Sequence, residues 1–319
     1  MLKVPRWSRP GPPWASRGVP RVLFIFLDGV GIGAPKPERN PFLTAKLPTL
    51  TRLLAGRWPT LAEPVIEAHG CMAFPLDATL GVEGLPQSGT GQIALLTGEN
   101  AARIFGRHFG PWAPVRLRPL LLELNILSRA RRLGYSVAFA NAYPEGFGRG
   151  RRDRRLAAIP FVARETGLMI RRAAELVRGG AVASEITNSG WRHHLGHTEV
   201  PEISPAQAGR NLARLVDRAD LTFFAHYSTD QAGHKGGMDG SVESLERVDG
   251  FLGGVVDALA GDISVLIASD HGNIEDVTEG HTRNPVLGMI LGDRSRVAGP
   301  IPTSIMDVPS TILALLKPS

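Results

Sequence analysis

The 319-residue sequence predicts an α/β fold, a mostly parallel sheet sandwiched by helices and carrying a small inserted cap. Three observations carry this. Val22–Leu27 (VLFIFL), Leu221–His226 (LTFFAH) and Ile263–Ala268 (ISVLIA) are continuous apolar runs of strand length, as expected of strands buried on both faces. Segments with helical apolar spacing fall between the runs. Strand and helix therefore alternate along the chain, which is the pattern of a parallel layered sheet.

In chain order, the first apolar run ends at Asp28, followed by Gly29, Gly31 and Gly33. Leu47–Ala55 has helical spacing behind Pro48, a favourable first-turn residue. Pro86-Gln87-Ser88 leads into Gly89-Thr90-Gly91-Gln92 and an apolar stretch, a loop entering a helix with Ser88 at the N-cap. Leu121–Leu133 reads as one helix closed by Gly134. Tyr135–Ala140 reads as a strand, Pro205–Val216 as an amphipathic helix and Leu245–Leu259 as another helix. Val286–Leu291 is the last strand and Val308–Leu316 the closing helix. Residues 143–205 lack strand alternation and are expected to form an Arg-rich cap inserted between core segments 21–142 and 206–319. Residues 1–20, rich in Pro, Arg and Gly, read as a disordered leader without the apolar stretch of a signal peptide.

A single cysteine, Cys71, excludes an internal disulfide and a thiolate-rich metal site, so a cytoplasmic location is expected. No apolar run approaches the roughly 20 residues that span a bilayer. The net charge of +6 is uneven: residues 101–200 carry about +10 and the rest about −4. A basic segment on a mildly acidic body suggests an anionic substrate or partner. Few aromatics interleave with the arginines, which argues against nucleic-acid binding.

Chemistry concentrates at the strand ends, where open α/β sheets bind their ligands. Asp28, Asp230 and Asp270 all stand at or just past such ends. Asp230 and His234 are four apart and share a face if the segment is helical. Asp270 and His271 are adjacent, and His281 follows in GHTRNP at 280–285. Oxygen and nitrogen donors without thiolate suit Zn²⁺ or Mn²⁺ in a catalytic role. Six ligand-type side chains exceed the needs of one catalytic metal, and two would clamp an in-line phosphoryl displacement. Ser88, at the positive end of a helix, is the candidate nucleophile, with Thr90 as the alternative.

These segments resemble the alkaline phosphatase superfamily. They are most similar to the metalloenzyme branch containing cofactor-independent phosphoglycerate mutase and phosphopentomutase. VLFIFLDGVGIG at 22–33, QSGTGQ at 87–92, DQAGH at 230–234, SDHGN at 269–273 and GHTRNP carry the resemblance, over roughly 21–142 and 205–319. The resemblance implies that Asp230, His234 and His281 hold one metal and that Asp28, Asp270, His271 and Ser88 hold the other. It also implies a phosphoserine intermediate and a small phosphorylated substrate. Two departures bear on activity. Gln92 stands where the branch usually has His, and about 60 residues at 143–205 replace a far larger substrate-binding insertion. A mutase must shield its intermediate from water, so a short insertion puts phosphatase at least level with mutase.

Arg103, Arg107 and Arg283 are candidate substrate-binding residues, with His108 beside them. Lys235 adjoins a predicted ligand. The cluster Arg149, Arg151, Arg152, Arg154 and Arg155 offers an anion site, and His193, His194 and His197 a third metal, although a solvated surface accounts for each. Two further readings of the whole are a catalytically inactive ligand-binding relative and a nucleic-acid binder acting through the basic cap.

Overall fold

A computed structural model describes residues 20–148, 150, 155–260, 263–292 and 300–318. All but the last residue of the expected leader, and Arg149, Arg151, Arg152 and Arg154, lie outside them. The elements are β1 (Arg21–Leu27), α1 (Pro48–Leu53), β2 (Ile66–Ala68), β3 (Cys71–Leu76), α2 (Ser88–Thr97), α3 (Ala101–Phe105), α4 (Arg118–Leu124), α5 (Ile126–Arg132) and β4 (Val137–Phe139). Then come α6 (Ala158–Glu165), α7 (Ala173–Val177), α8 (Ser189–His193), α9 (Pro205–Val216), β5 (Leu221–His226), α10 (Ser228–Lys235), α11 (Gly237–Val256), β6 (Ile263–Ala268), β7 (Val286–Leu291) and α12 (Val308–Leu315).

The strands form one sheet in the order β2-β3-β7-β6-β1-β5-β4. β6, β1, β5 and β4 are mutually parallel, whereas β7 pairs antiparallel with β6 and β3, and β2 antiparallel with β3. The sheet is therefore mixed, with its parallel half where the apolar runs predicted it. Register brings the ends of that half together: Leu27 pairs with His226, and Phe26 with Ala268. Asp28, Asp230 and Asp270 thus leave the sheet along one edge.

Alternation along β1 divides the core. Val22, Phe24 and Phe26 pack with residues of α2, α4, α5, α6 and α12 on one face. Leu23, Ile25 and Leu27 pack with residues of α1, α9 and α11 on the other. Each such side chain is worth roughly 1.5–3 kcal/mol of burial, so a strand buried on both faces anchors both layers.

The expected single helix over 121–133 is two helices. Asn125 ends α4 and caps α5, its Oδ1 accepting from Ser128 N at 2.9 Å. The segment 143–205 does not stand apart as a whole. α6 buries Ile159, Phe161 and Val162 in the core on the α2 face, while Leu176, Ala181, Ala183, Trp191 and Val200 form a separate small cluster. Much of this segment's arginine is spent on backbone carbonyls. Arg171 donates to Phe139 O (2.6 Å) and Gly180 O (3.0 Å), Arg172 to Met169 O (2.8 Å), and Arg192 to Thr198 O (2.5 Å). Among the described residues, no helix is long and apolar enough to cross a membrane.

Candidate active site

Ser88 opens α2, and the helix begins one residue earlier than an N-cap reading requires. Gln87, extended at φ −137° and ψ 144°, holds the N-cap position, and Ser88 is the first helical residue. Its hydroxyl makes no capping bond and faces His271 instead, with Oγ 2.9 Å from Nε2. Close packing of α2 on the end of β6 fixes this approach, since a Cβ added at Gly91 would lie 2.7 Å from Asp270 O. Thr90 is fully buried and turned away. Its N–H donates to Phe109 O (2.9 Å) and its hydroxyl accepts from Phe109 N (3.1 Å).

The other six predicted side chains meet Ser88 as two adjoining groups. In the first, Asp28, Asp270 and His271 bring one donor atom each within 4.8 Å of one another. His271 Nε2 is 3.2 Å from Asp28 Oδ1 and 3.9 Å from Asp270 Oδ1. In the second, Asp230 Oδ1 lies 3.4 Å from His234 Nε2 and 3.6 Å from His281 Nε2, and the two imidazole nitrogens are 3.1 Å apart. The helical turn of α10 puts Asp230 and His234 on one face, as their spacing predicts. The groups touch where the His271 and His281 rings stack at 3.9 Å and where His271 Nε2 comes within 3.8 Å of Asp230 Oδ1. Gly29 (φ +69°) permits the crowding, for a Cβ there would lie 2.8 Å from Asp230 Oδ1.

The donor set fits divalent cations on three counts. First, Oδ1 of Asp28 and Oδ2 of Asp270 are buried and accept no hydrogen bond among the described residues. Burial, and then the charge of a neighbouring aspartate, pushes both carboxyls well above the usual range, so two buried acids wait for a compensating cation. Secondly, His281 Nδ1 donates to Pro86 O (2.9 Å), which leaves a lone pair on Nε2 facing His234 Nε2, and only a proton or a cation reconciles the two. Thirdly, burial raises the Asp230 carboxyl, but His281, His271, Asn273 and His234 together outweigh it and hold the group down to about 2. Asp230 is thus ionised and ready as a ligand.

A family model described as the metalloenzyme superfamily matches residues 20–318. The chain belongs to the metalloenzyme superfamily. The phosphoglycerate mutase of Desulforudis audaxviator is 33% identical over 124 residues, 36% of this chain and 24% of that protein. The mutase of Symbiobacterium thermophilum is 31% identical over 128 residues, 36% of this chain and 25% of that protein. The matches thus span about a quarter of these relatives' length. The PH0037 protein of Pyrococcus horikoshii shares the fold, with a TM-score of 0.56 at 16% identity over 94% of this chain and 98% of that one.

Around these two groups stand residues that motif reading missed. Glu275 is 1% exposed and accepts from Gly31 N (3.0 Å), Asn273 N (2.7 Å), Asn284 Nδ2 (3.1 Å) and the Thr282 hydroxyl. One carboxylate thus ties together the three loops that carry Asp28, His271 and His281. Its only sequence signal is an acid two residues beyond SDHGN. Asn273 orients Asp230, its Nδ2 donating to Oδ1 (2.7 Å) and to the backbone carbonyl (3.1 Å). Tyr227 and Tyr143 bury their phenol oxygens against each other, and burial, followed by Tyr143 and then Asp28, drives Tyr227 well above its usual value.

Other candidates scatter. Arg103 is exposed beside the Gly81 turn, Arg107 is exposed beyond α3, and Arg283 donates to Gly84 O (2.6 Å). Lys235 lines a separate groove on the outer face of α10. His193 and His197 pair with Glu202 (3.4 Å) and Glu199 (3.0 Å) on the surface and form no metal group with His194. The Arg155 guanidinium lies 5.6 Å from the Trp112 ring.

Proposed function

We propose that the chain is a metal-dependent phosphomonoesterase that works through a phosphoserine at Ser88, with Mn²⁺ or Zn²⁺ as the metal. The observation that carries this is the Ser88 hydroxyl, uncapped at the head of α2 and 2.9 Å from His271 in the midst of both acid–imidazole groups. Asp230, His234 and His281 would hold one cation, and Asp28, Asp270, His271 and Ser88 the other. Cations bound there neutralise the buried carboxylates and draw charge from the phosphoryl oxygens. Ser88 Oγ attacks phosphorus, the ester P–O bond breaks, and the hydroxyl proton passes in net terms to the departing alcohol. Water then attacks the phosphoserine, the Oγ–P bond breaks, and Ser88 regains its proton as phosphate leaves.

Hydrolysis is favoured over mutation by the surface next to the nucleophile. Gln87, the chain neighbour of Ser88, lines a polar groove of about 530 Å³ that is open to solvent, so this side of the site is not shielded by a cap. Binding without chemistry leaves the orphan carboxylates and the uncapped serine unexplained, and no observation favours it. The nucleic-acid reading is weakened by the arginines engaged with backbone carbonyls. The test is release of phosphate from an aryl phosphate with Mn²⁺ or Zn²⁺, abolished by EDTA. Metal-loaded protein that transfers phosphate between hydroxyls of one substrate without releasing it would favour the mutase instead.

A further inference from the structure

A second groove lies where α10 and α11 fold against each other. Gly237 (φ +55°) makes the bend between them, a backbone setting that favours glycine. Ser228, Gln231 and Lys235 line the groove from α10, and Glu243, Ser244 and Arg247 line it from α11. Each set falls on one face of its helix. Asp230 and His234 leave α10 on another side, toward the candidate metal site, so this groove lies behind the ligand helix.

Two independent features of the groove ask for a ligand. The first is an orphan hydroxyl. Ser244 is 4% exposed, and its Oγ has no hydrogen-bond partner among the described residues. A helical serine commonly bonds the carbonyl one turn back, and this one does not. A buried hydroxyl without a partner on a groove wall is satisfied by an occupant that it can bond.

The second feature is charge. Lys235 makes no hydrogen bond or ion pair among the described residues. Arg247 donates to Glu243 (2.7 Å), and its other donors find no acceptor among them. The acids nearby are already engaged, Glu243 with Arg247 and Glu185 with Gly190 N (3.1 Å). After burial, the charge of Arg247 is the other influence that lowers His226, which sets the guanidinium near the start of α10. Ser228 is the first residue there, and the N-cap Tyr227 supplies no side-chain cap to the first-turn N–H groups. Hydroxyls, a guanidinium with free donors and an uncapped helix start together form an oxyanion cradle.

We propose that this groove is an effector site for a tetrahedral oxyanion of the phosphate class. The ion sits between the Ser228 and Ser244 hydroxyls and the Arg247 guanidinium, with Lys235 adding attraction from the far end. At about 300 Å³ the groove admits such an ion with part of its hydration. Because the ion bonds both helices, its occupancy holds α10 against α11 and steadies the helix that carries Asp230 and His234. The proposal stands or falls without the phosphoserine chemistry.

The test is hydrogen exchange of the metal-loaded protein across a sulfate titration, with chloride holding the ionic strength constant. Sulfate has the charge and shape of the occupant. The amides of Gln231 to Lys235 are expected to slow saturably, by about tenfold at ten times the midpoint concentration. Ser244→Ala and Arg247→Gln should each move the midpoint to about tenfold higher sulfate. Both variants should keep the parent's metal affinity, which shows that they are folded. Should Arg247→Gln fail to fold, Ser244→Ala decides alone. No saturable slowing in the parent, slowing that chloride reproduces, or a midpoint unmoved in Ser244→Ala would each overturn the proposal, and the last would put the anion at the metals instead.

Discussion

Ser88 Oγ lies 2.9 Å from His271 Nε2, and His271 Nδ1 points to Gly272 O at 3.3 Å. A carbonyl only accepts, so Nδ1 carries the proton and Nε2 presents its lone pair to the serine. Ser88→Ala is therefore expected to lower aryl phosphate turnover at least about a thousandfold. Because the hydroxyl caps nothing and gives up only its bond to His271, the stability should fall by no more than about 1–2 kcal/mol. Steady-state kinetics and a thermal melt on the same preparation check both halves.

Buried acids make the metal-free protein sensitive to alkali. Asp28 and Asp270 have folded pKa values raised above the unfolded value of 3.8. The folded chain therefore binds more protons than the unfolded one above that pH, and their contribution falls as pH rises through the folded values. EDTA-treated Asp270→Asn should thus melt higher than the EDTA-treated parent at pH 8. Added Mn²⁺ should raise the parent's melting temperature and leave the variant's nearly unchanged. Melting curves of both proteins, with and without metal, decide it.

His226 gives the opposite slope in acid. It is fully buried, and burial lowers its pKa to about 4 from 6.5, with Nδ1 donating to Ser184 O at 2.6 Å. Between these values the unfolded chain binds the extra proton, so stability falls as pH drops from 6.5 to 4 and levels off below. The loss is on the order of 3 kcal/mol. His226→Asn keeps a donor for Ser184 O and should flatten that limb in denaturant titrations across pH 4 to 7. An unchanged limb would assign the acid loss to other groups.

Glu275 tests whether the loops need their tie. Glu275→Gln replaces an acceptor-only group by one that turns an N–H toward the Gly31 or Asn273 donors. A cost of about 2–3 kcal/mol is expected, with metal affinity lower by about 10- to 100-fold because the three ligand loops lose their common partner. Metal titration at a temperature where the variant stays folded separates the two effects.

The legible parts of the fold were those whose signal is local. β1, β5, β6 and β7 follow from uninterrupted apolar runs. β3 escaped notice because Pro75 interrupts its run and its pairing with β7 joins residues some 215 positions apart. The break at Asn125 was hidden by helical spacing on both sides. α6 looked like part of an insertion because its apolar face is intelligible only against α2 and α4. In the site, the residues named by sequence motifs converge because strand register aligns β1, β5 and β6. Glu275, Tyr143 and Tyr227 were invisible because their environments are assembled from distant loops.

The central claim is a covalent phosphoryl group on Ser88. The metal-loaded protein should be mixed with an aryl phosphate, quenched in acid, digested and sequenced by mass spectrometry. The account predicts a phosphoryl adduct on Ser88 that disappears in Ser88→Ala together with turnover. An adduct on Thr90, or undiminished turnover in Ser88→Ala, would contradict it.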